Sequence, residues 1–270
     1  MTFTVFGSTG FIGSHLVAAL QRRGIECLTP ARGDTSWRER ELGHVVYAIG
    51  LTADFRHRPL ETVRAHVTFL AEVLEHGRFA TLTYLSSARL YGGAERGVEE
   101  AVFEVDPRSP SDLYNLSKLM GESLVLARAA ERGRVVRLSN VYGPDWESEN
   151  FLMTLIRDAV RDGKTTIRTS PDSSKDYVFV EDVAGLLIEI AVSGRQQIYN
   201  VAAGRPVSNA ELAEALGTAT GALVDFAAGA PRQTFPPIDI SRITEEFGAR
   251  PRAVLDDLPR LVAEYRKAEH

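Results

Sequence analysis

The sequence predicts an α/β protein, with a doubly wound parallel sheet and a smaller C-terminal part. Two observations predict this class. Segments rich in β-branched and aromatic residues alternate with segments of helical periodicity, which is typical of a parallel sheet covered by helices on both faces. A glycine-rich turn also joins the first strand to the first helix. With 270 residues, 44% of them hydrophobic and 25% charged, the chain can bury a large core without disulfides.

The predicted elements of the sheet follow in chain order. A strand at 2–6 leads through the turn at 7–13 into a helix that starts at Ser14 and stops at Gly24. The other predicted strands of this half are 25–29, 44–49, 80–85 and 134–138. Helices are predicted at 61–76, with a stripe of Val63, Val67, Leu70 and Leu74, and at 112–131, with a stripe of Leu116, Leu119, Leu124 and Val125. Core packing is the expected role of both stripes, and a dimer interface is the alternative.

After Pro144 the pattern changes, and shorter elements follow. The predicted helices are 150–162 and 181–192, and the predicted strands lie near 165–169, 177–180, 197–201 and 222–226. The strand at 197–201 can rejoin the main sheet. We therefore expect one domain formed by residues 1–142 plus 181–203, and a second, smaller domain formed by residues 143–180 plus 204–270.

Charge and composition exclude several classes of protein. Lys and Arg number 31 against 36 Asp and Glu, so that the formal net charge of −5 does not favour nucleic acid or an anionic membrane as a partner. No apolar run approaches the ~20 residues of a membrane-spanning helix, and a cytoplasmic protein is expected. The single Cys27 excludes a disulfide framework. The six histidines (15, 44, 57, 66, 76 and 270) lack metal-ligand spacing, so no metal site is expected. Acidic pairs such as Glu99-Glu100 and Glu245-Glu246 are predicted to lie on solvated faces or at the starts of helices.

The glycine-rich turn is the first motif that carries chemistry. Gly7, Gly10 and Gly13 form a G-x-x-G-x-x-G pattern between a strand and a helix. Such a turn lets a pyrophosphate approach the free N–H groups at the start of the helix. The flanking strand and helix raise this weak pattern to a specific prediction of a dinucleotide site.

Tyr114 and Lys118 form the second motif, because a spacing of four places both side chains on one face of the helix at 112–131. A lysine ammonium beside a phenol favours the phenolate, and it is expected to lower the pKa of Tyr114 so that the phenol can exchange a proton with a carbinol oxygen. Upstream, Ser86 and Ser87 end a predicted strand, at the edge of the sheet where open parallel sheets bind ligands. Either serine could instead hydrogen-bond within its own turn.

With these motifs in place, the sequence resembles the extended short-chain dehydrogenase/reductases, and specifically the NAD(P)-dependent epimerase/dehydratase family that acts on nucleotide sugars. Six segments carry the resemblance in family order: GSTGFIGSHL at 7–16, YLSSARLYG at 84–92, YNLSK at 114–118, RLSNVYGP at 137–144, KDYVFVEDVA at 175–184 and IYNVAAGRPVS at 198–208. The resemblance implies a Rossmann-type sheet that binds the cofactor and a C-terminal domain that binds a nucleotide-sugar substrate. It also implies a homodimer in which the helices at 61–76 and 112–131 of two subunits pair.

The resemblance assigns roles residue by residue. The implied catalytic residues are Ser87, Tyr114 and Lys118. The implied cofactor-binding residues are Gly7, Thr9, Gly10, Phe11, Ile12, Gly13, Arg32, Gly50, Tyr114, Lys118 and Val141. The implied substrate-binding residues are Ser87, Arg89, Asn140 and Lys175.

Several departures from the family pattern narrow the expected activity. Family dehydratases carry Asp-Glu where this chain has Ala88-Arg89, which argues against a 4,6-dehydratase. Arg32 favours NADP(H) over NAD(H), although Asp34 could still reach a ribose hydroxyl. The stretch from Gly33 to Gly43 is too short for the usual helix and third strand, so the adenine pocket should be open on that side.

Two substitutions concern the site itself. His66 replaces a common Asn, and Lys175 replaces an Arg that grips the diphosphate in relatives, with a point charge instead of a fork. We expect an NADPH-dependent 4-ketoreductase of a nucleotide-linked deoxysugar, with an NAD-retaining nucleotide-sugar 4-epimerase as the alternative. A non-catalytic NADP-binding sensor or scaffold is the alternative of another class, and the intact set of Ser87, Tyr114 and Lys118 argues against it.

Overall fold

The computed structural model describes residues 1–51, 55–148 and 150–269. Its strands are β1 Thr2–Phe6, β2 Glu26–Leu28, β3 His44–Tyr47, β4 Thr81–Ser87, β5 Gly133–Leu138, β6 Asn140–Tyr142, β7 Lys164–Ile167, β8 Ser174–Phe179, β9 Ile198–Val201, β10 Pro206–Ser208 and β11 Leu223–Phe226. Its helices are α1 Phe11–Arg22, α2 Pro59–Val63, α3 Phe69–His76, α4 Asp112–Ala129, α5 Phe151–Asp162, α6 Val180–Ser193, α7 Asn209–Thr220, α8 Ser241–Phe247 and α9 Val254–Ala268.

A six-stranded parallel sheet, ordered β2-β1-β3-β4-β5-β9, forms the centre of the fold. Alternate side chains of each strand point to opposite faces, so Phe3 and Val5 pack with α1 and α6, whereas Phe6 packs with α3 and α4 on the other face. This architecture confirms the predicted doubly wound parallel sheet. The late strand β9 pairs with β5, as the sequence predicted for 197–201.

A second hydrophobic core lies outside the main sheet and is formed by α5, α7 and α9 with β7 and β8. Strand β7 pairs with β11, and β8 lies between β6 and β10 in a three-stranded sheet. The sequence did not predict β6 or β10, because each has three residues and is too short to show alternation. The domain boundaries given above remain predictions.

Two helices differ from their predicted form. Helix α1 starts at Phe11 rather than Ser14, because Gly10 in extended conformation is its N-cap. The predicted helix at 61–76 is present from Pro59 to His76, but a π-helical turn, Arg64–Thr68, separates α2 from α3.

This helical segment buries a stripe that differs from the predicted one. The buried side chains are Thr62, His66, Leu70 and Val73, so of the predicted stripe Val63, Val67, Leu70 and Leu74 only Leu70 is fully buried. On α4 likewise Val125 is buried, whereas Leu116, Leu119 and Leu124 are half-buried, because polar side chains occupy the face toward the sheet. Core packing, the expected role of both stripes, therefore holds fully only for Leu70 and Val125, and the other six side chains are half-buried.

The two edges of the main sheet are protected differently. Between β2 and β3, the chain forms a single 3₁₀ turn, Ser36–Glu39. Among the described residues no further strand extends the sheet beyond its edge strand β2, as predicted. At the β9 edge, Asn200 N–H donates to Glu99 Oε1 at 3.0 Å and Arg242 Nη1 donates to the Ile198 carbonyl at 2.8 Å. Glu99 is 5% exposed and lies in a turn, so neither a solvated face nor a helix start describes it, whereas its neighbour Glu100 is exposed as predicted. Across the described ranges, no helix is both long and apolar enough to cross a bilayer.

Candidate active site

The glycine-rich turn lies where β1 ends, and its backbone is packed too closely for side chains. Gly7 has φ +88°, and a Cβ there would lie 2.8 Å from the Ala48 carbonyl carbon. A Cβ on Gly13 would lie 2.1 Å from the Gly7 carbonyl oxygen. Gly10 N–H donates to that same oxygen at 3.1 Å, and Gly10 caps α1. The tight turn leaves the first N–H groups of α1 facing the cleft, which fits a dinucleotide pyrophosphate.

A cleft of about 520 Å³ opens at the carboxyl ends of β1, β3, β4 and β5. Most predicted site residues line it: Gly10, Phe11, Ile12, Gly50, Ser87, Arg89, Tyr114, Lys118, Asn140, Val141 and Lys175. Gly7 and Gly13 lie behind this surface and shape the turn, whereas Thr9 and Arg32 are exposed and do not line the cleft. Phe151, Tyr177 and Phe235 line the opposite wall, which the sequence did not predict.

Tyr114 projects from α4 toward the end of β4 and is 5% exposed. Burial raises the pKa of its phenol, and this effect exceeds the lowering by a hydrogen bond with the Ser87 hydroxyl and by the charge of Arg89. The expectation that Lys118 lowers this pKa was therefore wrong for the protein alone. The two side chains are nevertheless placed together, because the Tyr114 hydroxyl forms a hydrogen bond with the Ser87 hydroxyl in the cleft.

Lys118 lies one turn further along α4 and is buried. Its Nζ donates to the Leu85 carbonyl at 2.8 Å and lies 5.0 Å from the Tyr84 ring centroid. Burial lowers the pKa of Lys118 to about 7, against the opposing charge of Glu122. A Cβ on Gly50 would be 3.7 Å from Nζ, so this loop glycine and the lysine lie side by side in the cleft lining.

His66 joins three parts of the site through neutral hydrogen bonds. Leu51 N–H donates to its Nε2 at 3.1 Å, and its Nδ1 lies 2.8 Å from Ser117 Oγ. Because the Ser117 hydroxyl donates to the Tyr114 carbonyl, Nδ1 must carry the proton. Burial and the charge of Lys118 lower the pKa of His66 to about 2, so the ring stays neutral. The histidine lies in the π-helical turn, a feature common at functional sites.

Behind the cleft lies a buried polar network that was not predicted from the sequence. Ser86 Oγ donates to Glu122 Oε1, and Arg137 donates to both carboxylate oxygens of Glu122, at 3.0 and 2.7 Å. Arg137 also donates to the Tyr91 hydroxyl at 3.0 Å. Both Ser86 and Ser87 line the cleft, but this network occupies the Ser86 hydroxyl, and it is the Ser87 hydroxyl that bonds Tyr114. The sequence did contain one indication of this network: Glu122 follows Lys118 by four residues, which places both side chains on the same face of α4.

The substrate-binding residues predicted from the resemblance surround the same cleft. Asn140 donates its side-chain N–H to the Asp176 carbonyl at 2.8 Å, next to Lys175 on β8. The Lys175 Nζ lies 4.7 Å from the Phe151 ring centroid. Arg89 follows Ser87 in the turn after β4, and its guanidinium carbon lies 5.9 Å from the Tyr114 ring centroid. In the part of the chain that the structure describes, which excludes His270, no group of three His, Cys, Asp or Glu side chains could hold a metal.

A comparison with known protein families finds one match, to the "NAD dependent epimerase/dehydratase family", over residues 3–202. Among curated relatives, a dTDP-glucose 4,6-dehydratase from Streptomyces griseus is 29% identical over 211 residues, 74% of this chain and 62% of that protein. A dTDP-4-dehydro-6-deoxyglucose reductase from Escherichia coli is 26% identical over 208 residues, 73% of this chain and 65% of that protein. The matches thus span less than two thirds of these two relatives.

Solved structures resemble the whole chain. MoeE5 in complex with UDP-glucose and NAD superimposes with a TM-score of 0.85 at 22% identity, covering 100% of both chains. The NDP-hexosamine 5,6-dehydratase TunA gives a TM-score of 0.82 at 22% identity over 99% of this chain and 98% of that one. At these identities the likeness concerns the fold, and it agrees with the Rossmann-type sheet predicted from the sequence.

Proposed function

Because this chain belongs to the NAD dependent epimerase/dehydratase family, we propose that it is an oxidoreductase acting at C4 of a nucleotide-linked sugar, with 4-keto reduction as its net reaction. One observation carries the proposal: the Tyr114 and Ser87 hydroxyls meet in the cleft, with buried Lys118 one turn away and the glycine-rich turn alongside. The family is one of enzymes, which leaves the sensor alternative without support.

Each residue has a proposed role in moving one proton. A nicotinamide cofactor bound beside the glycine-rich turn would supply the hydride. Tyr114 donates the proton to the sugar oxygen, and the Ser87 hydroxyl hydrogen-bonds the same oxygen and orients it. Lys118 holds the cofactor ribose through its Nζ, which lies 5.9 Å from the Tyr114 ring centroid. Asn140 and Lys175, on the other wall, bind the diphosphate of the substrate.

The proposal of reduction rather than dehydration rests on the residues after Ser87. Ala88 is buried and Arg89 is a cation, so the two positions that carry acids in dehydratases offer no group for water elimination here. The open side of the sheet next to β2 supports a cofactor that exchanges between turnovers, as a reductase requires. A 4-epimerase instead retains its cofactor throughout.

For the choice of cofactor, the structure favours binding of a ribose hydroxyl by Asp34 over binding of the NADP(H) 2′-phosphate by Arg32. Asp34 lines a small pocket beside the end of β2, together with Thr29, Trp37 and Arg40, whereas Arg32 is exposed. We therefore propose that NAD(H) binds at least as well as NADP(H). Binding of NADH and NADPH to wild type and Arg32→Ala, followed by fluorescence, tests this. A similar loss for both cofactors is expected, and a loss confined to NADPH would restore the preference for NADP(H).

A homodimer is also proposed, from the exposed apolar side of two neighbouring helices. Leu60 on α2 is 68% exposed and Met120 on α4 is 53% exposed, while Val63 and Leu116 beside them are half-buried. Because α2 and α4 pack against each other, we propose that these side chains share one surface. Pairing of two such surfaces would bury it.

The net reaction is tested with the purified protein and dTDP-4-dehydro-6-deoxyglucose or UDP-glucose, with products identified by NMR. We expect 4-keto reduction that consumes added NADH or NADPH, with this neutral deoxysugar serving as a probe of the reaction rather than as the preferred substrate. Conversion of UDP-glucose to UDP-galactose with no added cofactor would support the 4-epimerase instead. Tyr114→Phe should lower kcat by about 100-fold or more, the usual worth of a general acid, with cofactor affinity nearly unchanged. If the Phe variant keeps more than a tenth of the activity, Tyr114 is not the acid.

A further inference from the structure

Arg89 is an unpaired cation inside the cleft. Its Nε is buried with no hydrogen-bond partner, and within the described ranges no carboxylate forms an ion pair with its guanidinium. Arg137, behind the cleft, shows the usual arrangement instead, with a bidentate pair to Glu122. The charge of Asp112 acts on Arg89 without forming an ion pair, and the Asp112 oxygens accept from Asp106 N–H and the Asn115 amide. A buried N–H donor without a partner is costly unless a ligand supplies the acceptor, and the half-buried Arg89 side chain lines the cleft, where a ligand can reach it.

Neighbouring cations make the binding of an anion next to Arg89 more favourable. Phe55 is buried between two arginines, with its ring centroid 4.5 Å from the Arg56 guanidinium carbon and 5.4 Å from that of Arg89. Arg56 is satisfied, because it donates to Ser111 Oγ at 3.0 and 3.2 Å. Burial and the charge of Arg56 lower the pKa of Arg89, and the charge of Arg89 in turn contributes to a lowered pKa of Lys175. The repulsion among these cations would be relieved by bound negative charge.

Two cations lie on different walls of the cleft, and this separates their roles. Lys175 is on β8, close to Phe151 at the start of α5 and next to Asn140. Arg89 is on the sheet side, two residues after Ser87, with its guanidinium over the Tyr114 ring. The diphosphate is distant from the reacting carbon in a nucleotide sugar, whereas substituents next to that carbon must lie beside Tyr114. An anion at Arg89 therefore belongs to the sugar ring.

We propose that Arg89 is a specificity-determining residue that binds a carboxylate on the sugar ring, so that the substrate is a nucleotide-linked uronic acid rather than the deoxysugar expected from the sequence. This inference rests on the proposed function. A guanidinium presents a planar pair of N–H donors that matches a carboxylate in bidentate fashion. The C6 carboxylate of a uronic acid is two carbons from C4, which puts it within reach of a group that covers the Tyr114 ring. A neutral hexose would leave the guanidinium unpaired.

The test compares three probes, UDP-glucuronic acid, UDP-glucose and UDP, together with their dTDP counterparts, by calorimetry in the presence of NADH. Wild type should bind the uronic acid more tightly than the hexose. Arg89→Gln should weaken the uronic acid by on the order of 10- to 100-fold, the usual worth of a charged hydrogen-bonded pair, and should change the hexose and the free diphosphate by less than about threefold. Lys175→Gln is the matched control, because it removes one cation from the same cleft and should weaken all three probes alike.

Three outcomes would overturn the proposal. A loss shared by all probes in Arg89→Gln would assign Arg89 to the diphosphate. An unchanged preference between acid and hexose, with an altered pH profile of kcat, would make Arg89 a tuning residue for Tyr114. Absence of binding by every nucleotide sugar would end both this proposal and the proposed function. By contrast, selective binding of the uronic acid without hydride transfer to or from any sugar would uphold the carboxylate site and reject the proposed reaction.

Discussion

Lys118 shows what a single buried charge costs the folded protein. Its pKa falls from 10.5 in an exposed lysine to about 7 in the fold, so between these pH values the unfolded chain binds a proton that the folded chain does not. The free energy of unfolding therefore rises with pH across this window, and the penalty is complete below pH 7. The site tolerates this because the lysine is needed in the cleft.

We predict that Lys118→Met increases the free energy of unfolding at pH 7, where the wild-type lysine carries its penalty, while abolishing activity. The gain should shrink as the pH approaches 10.5. Urea denaturation of both proteins at pH 7 and pH 9.5 measures it, and groups that titrate in both proteins cancel in the difference. A gain that does not depend on pH would mean that Lys118 titrates normally in the fold.

His66 is the second residue whose role depends on staying neutral. The His66→Asn variant keeps a donor and an acceptor and should fold and turn over nearly as wild type. His66→Leu leaves Leu51 N–H and Ser117 without their partner and should lose about 1–3 kcal/mol of stability. The Leu variant should also lower kcat more than it changes KM, since Ser117 is bonded to the Tyr114 carbonyl.

The pH dependence of His66 gives an independent check. The unfolded histidine takes up a proton near pH 6.5, whereas the folded one resists protonation down to about pH 2. Stability therefore falls as the pH drops below 6.5, and this loss should be smaller in His66→Asn. Denaturation at pH 5 and 7.5 compares them. Equal pH dependence in the two proteins would contradict a neutral, buried imidazole.

At the scale of elements, the link between β1 and α1 depends on its glycines in different ways. A Cβ on Gly13 would overlap the Gly7 carbonyl oxygen, whereas a Cβ on Gly10 would lie 3.4 Å from it, an ordinary contact. Gly13→Ala should therefore shift the start of α1, reduce stability and lower cofactor affinity at least about tenfold. Gly10→Ala is the matched control and should unfold like wild type, whatever its effect on cofactor binding. Equal thermal stability of all three proteins would show that α1 is not held by this close approach.

Elements with a strong local pattern could be predicted from the sequence, and those fixed by distant contacts could not. Strands β1, β3, β4 and β5 are apolar runs, and their positions agree with the prediction within a few residues. The π-helical turn has no local signature, because it arises where His66 is bonded to Leu51 and Ser117. Likewise the chain does not reveal that Glu122 meets Arg137, since the two lie on different elements that only the fold brings together.

For the candidate active site too, features that depend on a local pattern could be predicted from the sequence, and features that depend on distant contacts could not. The Tyr114-Lys118 spacing and the glycine pattern predicted which residues line the cleft, because each depends on one element. The pKa of Tyr114 was mispredicted, since burial depends on the whole cleft and outweighs nearby charge. Phe55, which lies beside both Tyr114 and Arg89, carries no motif at all.

At the scale of the whole molecule, the exposed surface of α2 and α4 predicts a dimer in solution. Sedimentation at low micromolar concentration should give twice the 29.6 kDa mass of one chain. The double variant Leu60→Lys, Met120→Lys should sediment as a monomer, because it places charges on the apolar surface. Leu223→Lys is the control, since Leu223 is 61% exposed on β11, outside that surface, and its replacement should leave the mass unchanged. A wild-type species near 29.6 kDa would refute the dimer.

The protected edges of the main sheet bear on how the protein behaves when it is concentrated. A free sheet edge is a template on which another chain can add a strand, and aggregation often starts there. At one edge β2 has only three residues, includes the charged Glu26 and is soon followed by Pro30, which has no N–H to donate. At the other edge, Glu99 and Arg242 already occupy backbone groups of β9. Concentrated solutions should therefore remain free of strand-extended, amyloid-like assemblies, and replacing Glu99 with an apolar residue would open the first place for one to start.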